Sequence, residues 1–190
     1  MGISKETLAE IILDWKENNL PEIWPRELII DMKLPIQRAI AIIGPRRCGK
    51  TYYLYSLIKQ LLSKNVKKER ILYVNFEHPK LAGCRLADLN NLLSVFQEIY
   101  PENKVNPCWF FFDEIQNVPR WENFIRGLLD SGGNKVFLSG SSSKLLSQEI
   151  ATSMRGRALS YLLLPFSFKE YLTAKNIVFN KYLSGTQKGK

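Results

Sequence analysis

Apolar residues along this chain fall into two kinds of segment, which alternate. Short, wholly apolar runs, such as those at 39–43 and 108–112, are typical of strands buried on both faces. Longer segments with apolar residues every three or four positions are typical of helices that bury one face. The pattern predicts strands at 39–43, 70–76, 108–112, 135–139 and 158–164, and helices at 4–18, 50–63, 86–100, 121–129, 143–150 and after a Ser167 cap.

This alternation of strands and helices predicts an α/β fold. Parallel strands with short connections need crossover helices, and these helices cover both faces of the sheet. We therefore expect a three-layer α/β/α sandwich with a mainly parallel five-stranded sheet. Pro21 and Pro25 interrupt the chain after the first helix, so residues 20–35 are expected to be a connection with one short element at most.

The composition of the 190-residue chain fits one compact domain, since 45% of its residues are hydrophobic and 24% are charged. No run of about 18 uncharged apolar residues occurs, so no membrane span is expected. Three scattered cysteines and a single histidine argue against a disulfide framework, a zinc site and a His-rich metal site. A reducing, cytoplasmic location is the default expectation.

The net charge of +9 makes nucleic acid a candidate partner. Tyr52 and Tyr53, close to basic residues, would suit base stacking. Plainer explanations compete with this one, because the excess lysines lie in stretches that resemble solvated segments and the two tyrosines would pack a helix against the sheet. We prefer the plainer explanations and keep nucleic-acid binding as an alternative.

A phosphate-binding loop follows the first predicted strand. Residues 44–51, GPRRCGKT, fit the spacing G-x-x-x-x-G-K-[ST] between a buried strand and an amphipathic helix. The two glycines let the backbone curl so that its N–H groups and the helix N-terminus face phosphate oxygens. Lys50 would neutralise the β- and γ-phosphates, and the Thr51 hydroxyl would bind magnesium. The residues expected to contact the nucleotide are Gly44, Pro45, Arg46, Arg47, Cys48, Gly49, Lys50, Thr51 and Tyr52.

Cys48, inside this loop, allows two interpretations. It could act as a redox gate on nucleotide binding, because basic neighbours and a helix N-terminus favour a reactive thiolate. The simpler interpretation is a small residue at a variable position of the loop, and we prefer it.

Polar side chains follow two later strands. Asp113 and Glu114 come directly after the apolar run at 108–112. Because ligands bind at the carboxyl ends of parallel strands, both carboxylates should lie near the phosphate loop. Asp113 is expected to hold the magnesium ion, usually through a water, and Glu114 to polarise the attacking water. After the next strand, Ser139 or Ser141 could contact the γ-phosphate or orient that water, although turn and capping chemistry would explain both serines.

Together these segments resemble the AAA+ superfamily of P-loop ATPases. The greatest similarity is to the archaeal and bacterial AAA domains often found beside a C-terminal nuclease-like or DUF4143-type region. The resemblance covers residues 36–175 and rests on four motifs: GPRRCGKT at 44–51, FFFDEIQNVPRWENFIRGL at 110–128, FLSGSSSKLLS at 137–147 and RGRALSYLLLPFSFKEYL at 155–172.

The resemblance implies roles that spacing alone does not assign. Lys50 and Thr51 would be the Walker A pair, Asp113 and Glu114 the Walker B pair, and Ser139 or Ser141 sensor 1. Arg157 resembles an arginine finger, which acts on a nucleotide held by a neighbouring subunit and so implies a homo-oligomer. Arg155 is a weaker candidate, and the alternative for both arginines is a surface pair near a sheet edge.

The expected organisation is an N-terminal helix and connecting segment at 1–35, an ATPase core at 36–175 and a basic tail at 176–190. Related ATPases usually continue into a helical lid that contacts adenine, and little of a lid is expected here, which puts strong hydrolysis in doubt. The leading hypothesis is a Mg-dependent, ATP-binding and hydrolysing switch or motor domain. The alternatives are a nucleic-acid-binding module whose assembly ATP controls and, ranked lower, a kinase acting on a small acceptor.

Overall fold

A computed structural model of the chain describes residues 2–32, 37–141, 154 and 156–177. The first helix, α1 (Lys5–Glu17), begins after Ser4, whose hydroxyl accepts a hydrogen bond from the Thr7 amide. The elements that follow are β1 (Ala39–Gly44), α2 (Lys50–Ser63), β2 (Ile71–Asn75), α3 (Leu86–Ile99), β3 (Trp109–Asp113), α4 (Trp121–Asp130), β4 (Lys135–Ser141), β5 (Ala158–Leu162) and α5 (Phe168–Ala174).

All five strands are parallel and lie in the order β2-β3-β4-β1-β5. This order places β4 between β1 and β3, so the loops that leave β1 and β3 lie two strands apart at one edge of the sheet. The order therefore brings the phosphate loop and the acidic pair to the same end of the molecule, where ligands of open α/β sheets bind.

Two apolar clusters cover the two faces of the sheet, which confirms the predicted three layers. On one face, α1, α3 and α4 pack on Phe110 and Phe112 of β3. On the other face, α2 packs on Phe111 of β3 and Phe137 of β4, whose rings stack with centroids 4.5 Å apart. Consecutive residues of a strand point to opposite faces, so this wholly apolar strand fills both clusters.

The predicted elements occur wherever the structure describes their residues. The helix expected at 143–150 lies outside the described residues, and residues 20–32 form neither helix nor strand. Most strand ends match the prediction to within one residue, and two differ by two residues. β4 continues to Ser141 because that residue pairs with Gly44 of β1, and β5 ends at Leu162 because its partner strand turns into the phosphate loop just after Ile43.

A buried ion pair fastens the phosphate loop to segments on either side of it. The Arg26 guanidinium donates to the Cys48 carbonyl at 3.0 Å and to Glu170 Oε1 at 3.0 Å. Glu170 also accepts hydrogen bonds from the amides of Glu27 at 2.6 Å and Ser167 at 2.8 Å. The pair therefore joins the segment before β1, the loop itself and the first turn of α5.

The protonation of Glu170 should link this ion pair to stability. Burial by itself would raise the pKa of Glu170, but hydrogen bonds from the Glu27 and Ser167 amides and from Arg26 outweigh it and hold the pKa below its usual value of 4.5. A carboxyl group whose pKa falls on folding stabilises the native state above its unfolded pKa. That stabilisation is lost as the pH falls through the folded value.

We expect Glu170→Gln to lower the free energy of unfolding at pH 7 by roughly 3 kcal/mol, because Arg26 stays buried without its partner charge. Urea denaturation at several pH values measures this difference, which should shrink as the pH falls below 4.5. Glu98→Gln, which removes an exposed carboxylate paired with Lys5, is the matched control and should change stability little. A difference between wild type and Glu170→Gln that stays constant down to pH 3 would contradict this account.

Candidate functional site

The phosphate loop joins β1 to α2, and its two glycines are required for different reasons. A Cβ at Gly44 would lie 2.1 Å from the Leu163 carbonyl oxygen, so only glycine allows the chain after β5 to approach this closely. Gly49 caps α2 with φ of 96°, in the left-handed region that favours glycine. The predicted curl of the loop therefore depends on a close approach at its start and on a left-handed residue at its end.

Lys50, at the first position of α2, is only 5% exposed. Its ammonium group donates to the carbonyls of Gly44 at 3.3 Å and Pro45 at 3.1 Å. It also lies 3.6 Å from Glu114 Oε1. The structure thus brings together the predicted phosphate-binding lysine and the predicted water-activating carboxylate.

Asp113 accepts hydrogen bonds from three hydroxyl groups at the carboxyl end of the sheet. Its Oδ2 accepts from Thr51 Oγ1 at 2.6 Å and from the Tyr73 phenol at 2.9 Å, and its Oδ1 accepts from Ser139 Oγ. The carboxylate is fully buried, so these donors replace the water it has lost. We call Thr51, Tyr73, Asp113 and Ser139 the Asp113 cluster. Tyr73 is the member that the sequence did not predict.

Tyr73 was missed because nothing local distinguishes it. It lies in the middle of β2 and looks like one more large residue of a buried strand. The strand register pairs Asn75 with Asp113, so Tyr73 and Asp113 lie on the same face of neighbouring strands. Only knowledge of strand order and register would have identified it.

Glu114 adopts a left-handed backbone conformation with φ of 51° directly after β3. Its amide donates to Ser139 Oγ at 3.1 Å, and its Oε2 accepts from the Gln116 amide group at 2.6 Å. Ser139 therefore contacts both members of the acidic pair. Of the other predicted sensor, Ser141, the structure describes the backbone in β4 but not the side chain.

Two adjoining cavities lie over the loop. The first, which we call the phosphate cavity, has a volume of about 510 Å³ and a polar lining: Arg46, Arg47, Gly49, Lys50, Thr51, Tyr52, Glu77 and Glu114. The second, which we call the aromatic cavity, has a volume of about 420 Å³ and is lined by Pro21, Glu22, Trp24, Arg26, Arg47, Gly49, Tyr52, Tyr53 and Phe166. The two cavities share Arg47, Gly49 and Tyr52 in their linings, so they lie side by side.

The remaining predicted residues of the loop differ in exposure. Cys48 is buried in the apolar cluster on the α2 face, and a buried thiol is unreactive, which argues against the redox gate. Tyr53 is also buried and donates its hydroxyl to the Leu28 carbonyl at 2.8 Å, as the packing explanation predicted. For Tyr52 that explanation was wrong, because successive helix residues point about 100° apart and Tyr52 is 52% exposed at the cavities.

Arg157 lies far from these cavities within its own chain. Its carbonyl accepts from the amide of Ala39, the first residue of β1, so it is located at the amino end of the sheet. β1 alone separates that end from the phosphate loop by about 17 Å. The Arg157 side chain is exposed and pairs with Asp130. This position excludes a role in its own site. The exposed pair with Asp130 beside the edge strand β5 fits the surface-pair alternative, and a role in a neighbour's site is the other interpretation. Arg155 lies outside the described residues.

The donor set at Thr51 and Asp113 fits magnesium. Mg²⁺ prefers hard oxygen ligands and is usually held by one or two carboxylates together with waters and substrate phosphates. Within the described part of the chain, no three His, Cys, Asp or Glu side chains come close enough to form an all-protein metal site. None of the described helices is long and apolar enough to cross a membrane.

Comparison with known proteins finds a matching family model and related sequences. A family model described as AAA domain (AAA_14) matches residues 36–172. An uncharacterized protein of Methanocaldococcus jannaschii is 45% identical over 159 residues, which are 84% of this chain and 34% of that protein. An uncharacterized protein of Haemophilus influenzae is 35% identical over 136 residues, which are 72% of this chain and 33% of that protein. The chain thus spans about a third of the length of these curated relatives.

A solved structure, that of C. elegans PCH-2, supports the fold. It is similar with a TM-score of 0.50 at 15% sequence identity, and the match covers 93% of this chain and 48% of that chain. At this identity the likeness concerns the arrangement of strands and helices alone.

Proposed function

The chain belongs to the AAA domain family of ATPase-like, nucleotide-binding domains, and we propose that it binds and hydrolyses Mg-ATP as a nucleotide-driven switch or motor. One observation carries the proposal. Lys50, Thr51 and Glu114 line the same polar cavity, Lys50 lies 3.6 Å from Glu114, and Thr51 donates to the buried Asp113 behind the cavity wall at 2.6 Å. The proposed division of labour is that the Thr51–Asp113 pair holds the metal and the Lys50–Glu114 pair handles the γ-phosphate and the attacking water.

The nucleotide would occupy both cavities. Its triphosphate fits the phosphate cavity, where Lys50, Arg46 and Arg47 supply positive charge. Its base fits the aromatic cavity, against the rings of Trp24, Tyr53 and Phe166. Gly49 lines both cavities, so in this placement its backbone would lie between the base and the phosphates.

In the proposed reaction, the side chains of this chain orient and polarise the reactants. Lys50 would exchange its carbonyl contacts in the loop for phosphate oxygens, which leaves Glu114 to accept the proton of the attacking water. Ser139 would hold the Glu114 amide and so fix the carboxylate over the γ-phosphate. Bound magnesium would supply charge that stabilises the phosphates as the terminal bond breaks.

A neighbouring subunit would complete the site. We propose Arg157 as the group supplied in trans, because it is exposed and lies at the end of the sheet opposite the cavities of its own chain. This requires a homo-oligomer in which the amino end of one sheet faces the phosphate cavity of the next. The family resemblance and the exposed position of Arg157 support this proposal.

Nucleic-acid binding remains the second candidate, and it rests mainly on the +9 charge. The aromatic part of that hypothesis is weaker, because Tyr53 is buried and Tyr52 lines the proposed nucleotide cavities.

The proposed boundaries of the core, 36–175, leave Trp24 and Arg26 outside it although both line the aromatic cavity. The DUF4143-type link and the cytoplasmic location remain predictions from the sequence.

Two substitutions separate binding from turnover. Lys50→Ala removes the buried charge and should abolish detectable ATP binding, whereas Glu114→Gln should bind ATP with unchanged or higher affinity and lose at least about 100-fold in turnover. Binding of a fluorescent ATP analogue and release of phosphate measure the two effects. Lys59→Ala removes an exposed lysine of the same helix as the control. Equal affinities of wild type and Lys50→Ala would contradict the proposed site.

A mixing experiment tests the role of Arg157 in trans. Arg157→Ala and Glu114→Gln should each be inactive alone. Their mixture should regain turnover, because the intact Glu114 of one variant then meets the intact Arg157 of the other. Wild-type specific activity should also rise with protein concentration, and Arg85→Ala, at another exposed arginine, serves as the control. A mixture no more active than the sum of its parts, with a flat concentration curve, would rule out an arginine in trans.

A further inference from the structure

We propose that Tyr73 is a positioning residue for Asp113 and that it sets the magnesium requirement of nucleotide binding. The inference rests on the proposed function, in which Asp113 is the metal-binding carboxylate. Nothing in the phosphate loop or in the acidic pair itself requires a phenol on the neighbouring strand. The observations that carry the inference are the direction of the Tyr73 hydroxyl, the packing of its ring and the number of donors on the carboxylate.

The phenol reaches Asp113 from the neighbouring strand. Tyr73 on β2 and Asp113 on β3 lie on one face of the sheet, two residues apart in register, and the hydroxyl donates to Oδ2 at 2.9 Å. Both residues are buried, with Tyr73 8% exposed and Asp113 fully buried. A hydrogen bond to a charged, buried acceptor is among the stronger ones, so it constrains the orientation of the carboxylate.

Two aromatic rings pack against the Tyr73 ring and restrict where its hydroxyl can lie. Trp15 of α1 packs against it with centroids 5.3 Å apart, and Tyr55 of α2 packs against it at 4.9 Å. Trp15 is in turn fixed by its indole N–H, which donates to the Ile71 carbonyl at 2.8 Å. The N-terminal helix thereby contributes indirectly to the geometry of Asp113.

Among the described residues, three donors leave the Asp113 carboxylate about one free direction. An ionised carboxylate offers about four acceptor directions, and hydroxyls of Thr51, Tyr73 and Ser139 take three of them. What remains suits one further donor, such as a water bound to the metal. A phenol is protonated near neutral pH, so this hydroxyl can act as a donor to Asp113. Removing it would free a second direction and let the carboxylate turn.

The test is Tyr73→Phe, which removes the hydroxyl and keeps the ring. We expect the magnesium concentration for half-maximal binding of a non-hydrolysable fluorescent ATP analogue to rise about tenfold, as for other residues that orient metal ligands. The affinity for the analogue in EDTA should not change. Tyr100→Phe removes a phenol that packs on Phe96, away from the cavities, and should match the wild type.

The outcomes separate this inference from the proposed function. Magnesium titration of Asp113→Asn should show a larger loss than Tyr73→Phe. If Asp113→Asn behaves as the wild type, the metal site itself is wrong and the inference fails with it. If Asp113→Asn loses the magnesium response and Tyr73→Phe keeps it, whether or not its melting temperature falls, the inference alone is overturned. Trp15→Phe weakens the packing on the Tyr73 ring without changing a residue that contacts Asp113. For this second variant we expect a smaller rise in the magnesium concentration for half-maximal binding.

Discussion

The structure depends most on the buried carboxylate of Asp113. A fully buried charge is stable only where several donors replace its lost hydration. Here those donors come from a helix and two strands far apart in sequence, through Thr51, Tyr73 and Ser139. They meet because the order β2-β3-β4-β1-β5 places β3 between the strands that carry Tyr73 and Ser139, with β1 leading into the loop before Thr51. The same contacts that satisfy the charge also build the proposed metal site.

The fold and the centre of the site could be predicted from the sequence because both depend on local patterns. Apolar runs identify buried parallel strands, and the spacing of residues 44–51 identifies the loop between one strand and one helix. Asp113 and Glu114 follow from the rule that ligands bind at the carboxyl ends of parallel strands. Each of these inferences starts from a short stretch of neighbouring residues and a general rule about parallel sheets.

Residues that act across the fold could not be predicted in this way. Tyr73 contacts Asp113 through strand register, and Arg26 pairs with Glu170 at a separation of 144 residues. No periodicity in the sequence marks either contact. In each contact one partner, Tyr73 or Arg26, lies outside the recognised motifs. Tyr73 donates to the acidic pair and Arg26 donates to the phosphate loop. The segment before β1, expected to be only a connection, therefore contributes an ion pair and part of a cavity wall.

In the proposed site, Thr51 and Asp113 together hold a metal ion against the triphosphate. Isothermal titration of a non-hydrolysable ATP analogue into wild type and Thr51→Val, with Mg²⁺ and with EDTA, tests it most directly, since valine keeps the shape and removes the hydroxyl. We expect Mg²⁺ to strengthen binding to the wild type, and we expect Thr51→Val to lose most of this gain while its affinity in EDTA is unchanged. An equal gain from Mg²⁺ in both proteins, or none in the wild type, would contradict it.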